Sequence, residues 1–191
     1  LRYGEVKENT PITENIESLT LNSPLLREIS IVDTPGTNAI IREHEEITSL
    51  FIPRSDLILF VTSADRPYTE SEKIFLEQIR AWGKKVVLVI NKIDILGSPE
   101  ALDEIERFVL ENSKTQLKVE PVIFPVSAKL ALQAKSGQPD LWSESWFESL
   151  EKFIQETLDE QSRLKLKLLN PLGVGKRLAT QYGEFYNSRL K

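Results

Sequence analysis

A chain of 191 residues, 40% hydrophobic and 28% charged, is long enough for one α/β domain with a buried core and a short appendage. It has no cysteine, which removes disulfides and thiolate metal sites, and its longest apolar runs, 57–61 and 86–90, fall far short of the roughly 20 residues of a membrane-spanning helix. The net charge of −5 conceals an asymmetry: residues 162–191 carry seven Lys or Arg against Glu184 alone, a net +6, and residues 1–161 a net −11. An acidic body argues against a broad nucleic-acid surface, so no nucleic-acid partner is expected. The basic tail fits acidic lipid, an acidic partner or plain solvent.

The chain opens at Leu1, contains no Met and begins inside a strand-like run, so it reads as a piece of a longer protein. Three apolar, β-branched runs follow, Glu28–Val32, Asp56–Val61 and Val86–Ile90, each ending before a polar or Gly-containing loop, and each predicts a buried parallel strand. Helical spacing covers Arg42–Phe51 and Thr69–Trp82, the second entered after Pro67 and closed by Gly83 as a cap. Ser98-Pro99-Glu100 predicts a helix start with Ser98 as N-cap and an apolar stripe Leu102, Ile105 and Val109. Val122–Val126 is a strand bounded by Pro121 and Pro125, which suits an edge or terminal position. Residues 135–146, rich in Gly, Pro, Ser and Asp, read as a surface loop before a helix at 147–158. Beyond Gln161, Leu164, Leu168 and Leu172 fit a helix, while Leu164, Leu166 and Leu168 fit a strand equally well, and Asn170-Pro171 is expected to break or kink whatever precedes it. Leu178, Tyr182 and Phe185 form one side of a helix with no evident partner in the chain. The alternation of strand and helix predicts a doubly wound α/β sheet, whose ligands sit at the carboxyl ends of the strands.

Chemistry is concentrated at those ends. Asp33-Thr34-Pro35-Gly36 follows an apolar run and delivers a carboxylate suited to Mg²⁺, commonly through water, while the Gly36 N–H can face a terminal phosphate unobstructed by a Cβ; an ordinary turn is the competing reading. Asn91-Lys92-Ile93-Asp94 follows the next-but-one run. Guanine offers two adjacent donors, N1–H and the exocyclic amino group, that one carboxylate can accept together, so Asp94 selects guanine in this reading. The stem of Lys92 can lie over the base and the Asn91 amide can tie neighbouring loops. Ser127-Ala128-Lys129 follows the last run, with the Ala128 N–H available to guanine O6; alone, Ser127 reads as a helix N-cap. The order of the three motifs along the chain carries the argument.

A phosphate loop Gly-x-x-x-x-Gly-Lys-Ser/Thr does not occur: Gly83-Lys84 has Gln78 where the first Gly belongs and Lys85 after it, and Gly175-Lys176 has Asn170 and Arg177. The only histidine, His44, is flanked by Glu43, Glu45 and Glu46 and reads as part of a solvated helix face. Thr37, directly after Gly36, cannot orient a water as a Gln there would.

These residues resemble the dynamin superfamily, and within it the bacterial and chloroplast mitofusin-like branch. The likeness is carried by residues 31–38, Pro53-Arg54-Ser55-Asp56, Ser63-Ala64-Asp65-Arg66-Pro67 with Thr69-Glu70-Ser71-Glu72, and Asn91-Lys92-Ile93-Asp94; Leu1-Arg2-Tyr3-Gly4 is similar to the strand after the first switch. The resemblance implies a P-loop NTPase-type α/β fold, doubly wound with a mainly parallel sheet, N-terminally truncated and followed by the start of a C-terminal helical stalk. It divides the chain into a partial GTPase domain at 1–161 and a stalk or hinge at 162–191. It further implies binding of GTP and GDP with Mg²⁺, catalytic roles for Asp33 and Gly36, and nucleotide contacts from Asp33, Thr34, Pro35, Gly36, Asn91, Lys92, Asp94, Ser127, Ala128 and Lys129. In the complete protein it implies homodimerisation through the GTPase domains, a membrane lipid partner and a site on the cytoplasmic side of a bacterial inner membrane, a thylakoid or a chloroplast membrane. The chain by itself is not expected to hydrolyse GTP. Two other readings share the motifs: a GTPase of the Era or TrmE kind acting on RNA or the ribosome, and a degenerate GTPase domain retained as a binding module.

Overall fold

The computed structural model describes residues 1–13, 16–34, 50–157 and 160–189. The chain forms two compact units, Leu1–Glu43 and His44–Lys191. In the first, β1 (Arg2–Tyr3), β2 (Glu8–Thr13) and β3 (Ile16–Leu21) make a sheet of order β1-β3-β2, with β1 parallel and β2 antiparallel to β3. A single turn, α1 (Leu25–Glu28), follows. Arg27 of that turn lies over the Tyr3 ring at 4.7 Å and donates to its hydroxyl at 2.9 Å.

The run 28–32, expected as a buried strand, is not one: α1 takes Glu28, residues 29–34 belong to no regular element, and Ile31 and Val32 are exposed. Among the described residues its one ladder-like contact is Ile31, which exchanges backbone hydrogen bonds with Leu1 at 3.1 and 2.6 Å. An apolar run specifies a strand only where neighbours pair it along its length, and a single bridging residue is too little. Of the helix expected over 42–51, all but the last two residues lie outside the described residues.

The second unit carries the sheet that organises the site. β4 (Ile58–Ser63), β5 (Val86–Asn91) and β6 (Val122–Pro125) are parallel throughout, in the order β4-β5-β6. β5 is central and its interior residues Val87, Leu88, Val89 and Ile90 are all buried, as a strand covered on both faces must be. Successive side chains leave opposite faces, and the packing follows. Leu88 and Ile90 join Phe60 with Leu76 and Ile79 of α2 (Glu70–Ala81) and Val109 and Leu117 of α3 (Pro99–Leu117), whereas Val89 packs with Val126 and with Leu150 of α6 (Phe147–Thr157). Helices therefore cover both faces, the doubly wound arrangement read from the alternation. Each fully buried aliphatic side chain in these clusters contributes about 1.5–3 kcal/mol of transfer free energy.

Local chemistry sets the ends of these helices. Thr69 Oγ1 accepts from the Glu72 N–H at 3.4 Å while a Glu72 carboxylate oxygen accepts from the Thr69 N–H at 2.6 Å, a reciprocal cap that fixes where α2 begins. Gly83 leaves α2 at φ +64, the left-handed conformation in which a glycine carries no Cβ penalty. At α3, Ser98 Oγ accepts from the Ala101 N–H at 3.3 Å and Pro99 occupies the first helical position, where its missing N–H costs nothing.

Two expectations differ from the structure downstream. The stretch 135–146 contains the last residue of α4 (Ala128–Lys135) and a short helix α5 (Leu141–Ser145); its polar composition concealed them because the Ser143 and Ser145 hydroxyls donate to the Asp140 and Trp142 carbonyls, as serines in turns do. The segment beyond Gln161 is one helix, α7 (Glu160–Arg189), and it continues through Pro171. Among the described residues no helix is long and apolar enough to cross a membrane.

Candidate functional site

The sequence elements that end at β5 and β6 converge. β5 closes on Asn91, and Lys92 then turns the chain at φ 68, ψ 35. That left-handed conformation costs a non-glycine residue about 1–2 kcal/mol, and the Asn91 side chain compensates it: Oδ1 accepts the Lys92 N–H at 2.8 Å and the Ala128 N–H at 3.0 Å. One amide oxygen thereby joins the loop after β5 to the loop after β6. The two loops are also tied through the main chain, with Val126 N–H donating to Ile90 O at 2.8 Å and Ile93 N–H to Val126 O at 3.2 Å.

Asp94 lies in the single turn Ile93–Ile95 that follows. Its side chain is only 10% exposed. Oδ1 accepts from Ser127 Oγ at 2.6 Å, and Oδ2 faces Lys129 Nζ at 3.4 Å. The Ser127 hydroxyl holds the carboxyl below its ordinary value of 3.8, with Lys129 adding to the effect against the opposing cost of burial. A carboxyl whose pKa is depressed by folding contributes stability that is present above its unfolded value and is lost as pH falls through the folded one. Asp94 is accordingly an acceptor at neutral pH. Two carboxylate oxygens provide about four acceptor positions, and the two contacts above leave room for a pair of donors from a ligand.

Ser127 is fully buried and all of its polar groups are engaged. Besides reaching Asp94, its Oγ accepts the Leu130 N–H at 3.2 Å, its N–H donates to Ser145 O at 2.8 Å and its carbonyl accepts the Ala131 N–H at 3.0 Å. One and the same Ser127 hydroxyl therefore caps α4 and reaches Asp94. Lys129 is 70% exposed. The Ala128 N–H, expected to be open to a base oxygen, is directed at Asn91 Oδ1.

On the other side of β5, β4 ends at Ser63 and Asp65 stands in the turn just beyond it. Lys92 Nζ pairs with Asp65 Oδ1 at 3.5 Å, and Ser63 Oγ donates to the same oxygen. The Ser63 hydroxyl lowers the Asp65 pKa more than Lys92 does. With both side chains about half exposed, the pair orients the Lys92 head rather than stabilising the fold, since solvent screens exposed ion pairs. The Ala64 N–H donates to Asn91 O at 2.8 Å and completes the link between the loops after β4 and β5.

The structure thus brings Asn91, Lys92, Asp94, Ser127, Ala128 and Lys129 into one cluster at the carboxyl end of a parallel sheet. Asp33 and Thr34 belong to the first unit and are exposed; Pro35 and Gly36, with Thr37 and His44, lie outside the described residues. The sequence reading left Asp65 without a role in the site, although it occupies the same kind of strand-end position as Asn91. It also left out Ser145, for which no local signal exists. No group of three or more His, Asp or Glu that could hold a metal occurs among the described residues. A lone exposed carboxylate such as Asp33 nevertheless suits Mg²⁺, which keeps several waters and takes its other ligands from phosphate.

A parallel sheet with helices on both faces, bearing an Asn-Lys-x-Asp loop clamped to a Ser-Ala-Lys loop, defines a P-loop NTPase-type domain of the GTPase class. Residues 3–93 match the dynamin family model, and the chain belongs to the dynamin family. It is 43% identical, over 83% of its length, to a probable transmembrane GTPase FZO-like, chloroplastic, of Arabidopsis thaliana, and covers 20% of that protein. It is 28% identical, over 75% of its length, to dynamin-like protein 1 of Campylobacter jejuni, covering 21% of it. A solved chain from an oligomerised bacterial dynamin pair, described as sensing and tethering membranes, shares the fold with a TM-score of 0.66 at 23% identity, over 91% of this chain and 32% of that one. The chain thus spans about a fifth of the plant and Campylobacter relatives' length.

Proposed function

We propose that this chain carries the guanine-recognition half of a GTPase domain and that the protein to which it belongs binds and hydrolyses GTP to remodel membranes. The observation that supports this best is the pinned carboxylate of Asp94. A single acceptor group, ionised at neutral pH and held by Ser127 and Lys129, presents free acceptor positions to two adjacent donors, which guanine has and adenine lacks. Lys92 supplies its aliphatic stem to the base, and the Ala128 N–H, drawn from Asn91, serves guanine O6. Asp33 would hold Mg²⁺ at the phosphate end, with Thr34 and Pro35 shaping that turn and the Gly36 N–H facing the terminal phosphate; the ion supplies neutralisation of the phosphate charge during transfer. Domain boundaries at 1–161 and 162–191 make α7 the first helix of a stalk. Homodimerisation through the GTPase domains, contact with lipid through segments outside this chain and residence on the cytoplasmic side of a bacterial or plastid membrane belong to the same proposal, supported by the names and descriptions of the relatives.

The test is nucleotide selectivity in the full-length protein. Asp94→Asn removes a charge-assisted pair of hydrogen bonds worth on the order of 2–4 kcal/mol, so GTP and GDP affinity should fall by roughly 30- to 1,000-fold while xanthosine nucleotides gain. Fluorescent-nucleotide titration reads both changes. Unaltered GDP affinity in Asp94→Asn would refute the assignment.

A further inference from the structure

The corner between α5 and α6 touches the site at one point. Ser145, fully buried, ends α5, and its main-chain carbonyl accepts the N–H of Ser127 at 2.8 Å. What aims that carbonyl is the Ser145 side chain. Its Oγ donates to Trp142 O at 2.6 Å and accepts the Phe147 N–H at 3.2 Å, closing the corner on both sides. Between them Trp146 turns the chain at φ 54 with its side chain half exposed, a left-handed conformation that costs a residue with a Cβ about 1–2 kcal/mol and persists where the surroundings over-determine it.

Resting on the guanine reading above, we infer that Ser145 is a positioning residue for base recognition, acting through Ser127 on the Asp94 carboxylate. Every link is a hydrogen bond between groups of fixed direction: Phe147 and Trp142 hold the Ser145 hydroxyl, the Ser145 carbonyl holds the Ser127 main chain, and Ser127 Oγ holds Asp94 Oδ1 at 2.6 Å. A carboxylate that must meet two donors of one base at once tolerates little rotation, because hydrogen bonds weaken steeply with misalignment. Among the described residues the one short side-chain contact of Asp94 comes from Ser127, whose own main chain is tethered to Ser145. The exposed Lys129, at 3.4 Å, is too distant to do the same.

The experiment measures dissociation constants of GDP and of inosine diphosphate, which lacks the exocyclic amino group, for the full-length protein. The ratio of the two reports the second hydrogen bond of Asp94 and is indifferent to the fraction of protein that is folded. Ser145→Ala removes the side-chain hydrogen bonds to the Trp142 carbonyl and the Phe147 N–H, and the ratio should fall roughly three- to tenfold. Ser145→Cys, close to serine in volume but a poor hydrogen-bonding group, should lower it in the same direction and serves if the alanine variant is too unstable to titrate. Trp146→Gly accommodates the left-handed conformation without strain and should keep the wild-type ratio. A wild-type ratio in both Ser145 variants, with Asp94→Asn abolishing the preference for guanine, would overturn the positioning role alone. A fall in Trp146→Gly equal to that in the Ser145 variants would assign the effect to the indole and also overturn it. If Asp94→Asn itself leaves the preference for guanine intact, the guanine reading fails and this inference falls with it.

Discussion

Tyr68 and Lys92 both adopt left-handed backbone conformations, at φ 64 and φ 68, each just beyond a strand end of the same sheet, yet for different reasons. The conformation of Lys92 is compensated by Asn91 Oδ1 and places its ammonium beside Asp65. That of Tyr68 is held by packing: the residue is 4% exposed, its ring joins the cluster of Phe60, Leu76 and Ile79, and its N–H reaches Thr62 Oγ1 at 3.3 Å. Its hydroxyl is buried with no hydrogen-bond partner among the described residues, and burial, followed by the charges of Glu72 and Glu77, pushes the phenol up to about 12. An unpaired buried hydroxyl is a cost without a return, so Tyr68→Phe should raise stability by about 1 kcal/mol in urea unfolding; a loss of similar size would reveal a polar partner for that hydroxyl. At this scale the sequence was readable where a charged or amide group stands directly after an apolar run, as with Asn91 and Asp94. It was not readable for Ser145 or for the tie between Asp65 and Lys92, because those roles depend on which distant backbone the fold brings alongside, and a serine in a polar stretch has no local mark that distinguishes a buried tether from a solvated turn.

The element whose docking is most closely specified is α7. An added Cβ at Gly173 would stand 3.2 Å from both Trp82 O and Gly83 O, and one at Gly83 would stand 3.3 Å from Gly173 Cα, so here the helix approaches the α2–β5 turn backbone to backbone. One turn later the Arg177 guanidinium lies 4.1 Å over the Trp82 ring. Gly175, two residues on from Gly173, has open space around its missing Cβ. The contrast yields a paired expectation. Gly175→Ala should stabilise by about 0.5–1 kcal/mol through helix propensity alone, whereas Gly173→Ala should lose that gain to the contact with two carbonyls that cannot swing away. Equal gains in thermal or urea unfolding would mean that α7 does not rest on Gly83. The sheet of the second unit and its helices α2 and α3 were legible because β5 is apolar on both faces and because Thr69 and Ser98 announce those two helices. β2 and β3 were not, since Glu8-Asn9-Thr10-Pro11 offers little to bury and Pro11 argues against a strand. They form as a pair, helped by Asn9 Nδ2 donating to Glu17 at 2.9 Å and by Thr20 Oγ1 donating to Val6 O at 2.9 Å. Pro171 misled in the opposite sense: a proline removes one hydrogen bond and crowds one carbonyl, costs that a 30-residue helix docked at Gly173 and Arg177 can absorb.

For the molecule as a whole, the division of chemistry between the two units bears on how hydrolysis is arranged. The residues proposed for base recognition lie in the second unit, where Asp94 is pinned by Ser127 and Ser127 is itself buried. Asp33, the residue proposed for the phosphate end, is an exposed carboxylate of the first unit, and Thr37 stands where a water-orienting Gln would be placed in other GTPases. On the proposed function, nucleotide selection is autonomous, while turnover would depend on groups that become ordered when two GTPase domains meet. The two functions should separate in the full-length protein. GDP affinity should not change with protein concentration, but turnover per molecule should rise with it, or on adding liposomes, because a site completed by a partner fills by mass action. Asp33→Ala should abolish Mg²⁺-dependent turnover while leaving the preference for guanine over adenine in place. Thr37→Ala should alter turnover little. Turnover that stays constant across a wide concentration range, together with a severe defect in Thr37→Ala, would place the catalytic group within a single domain and remove the need for a partner.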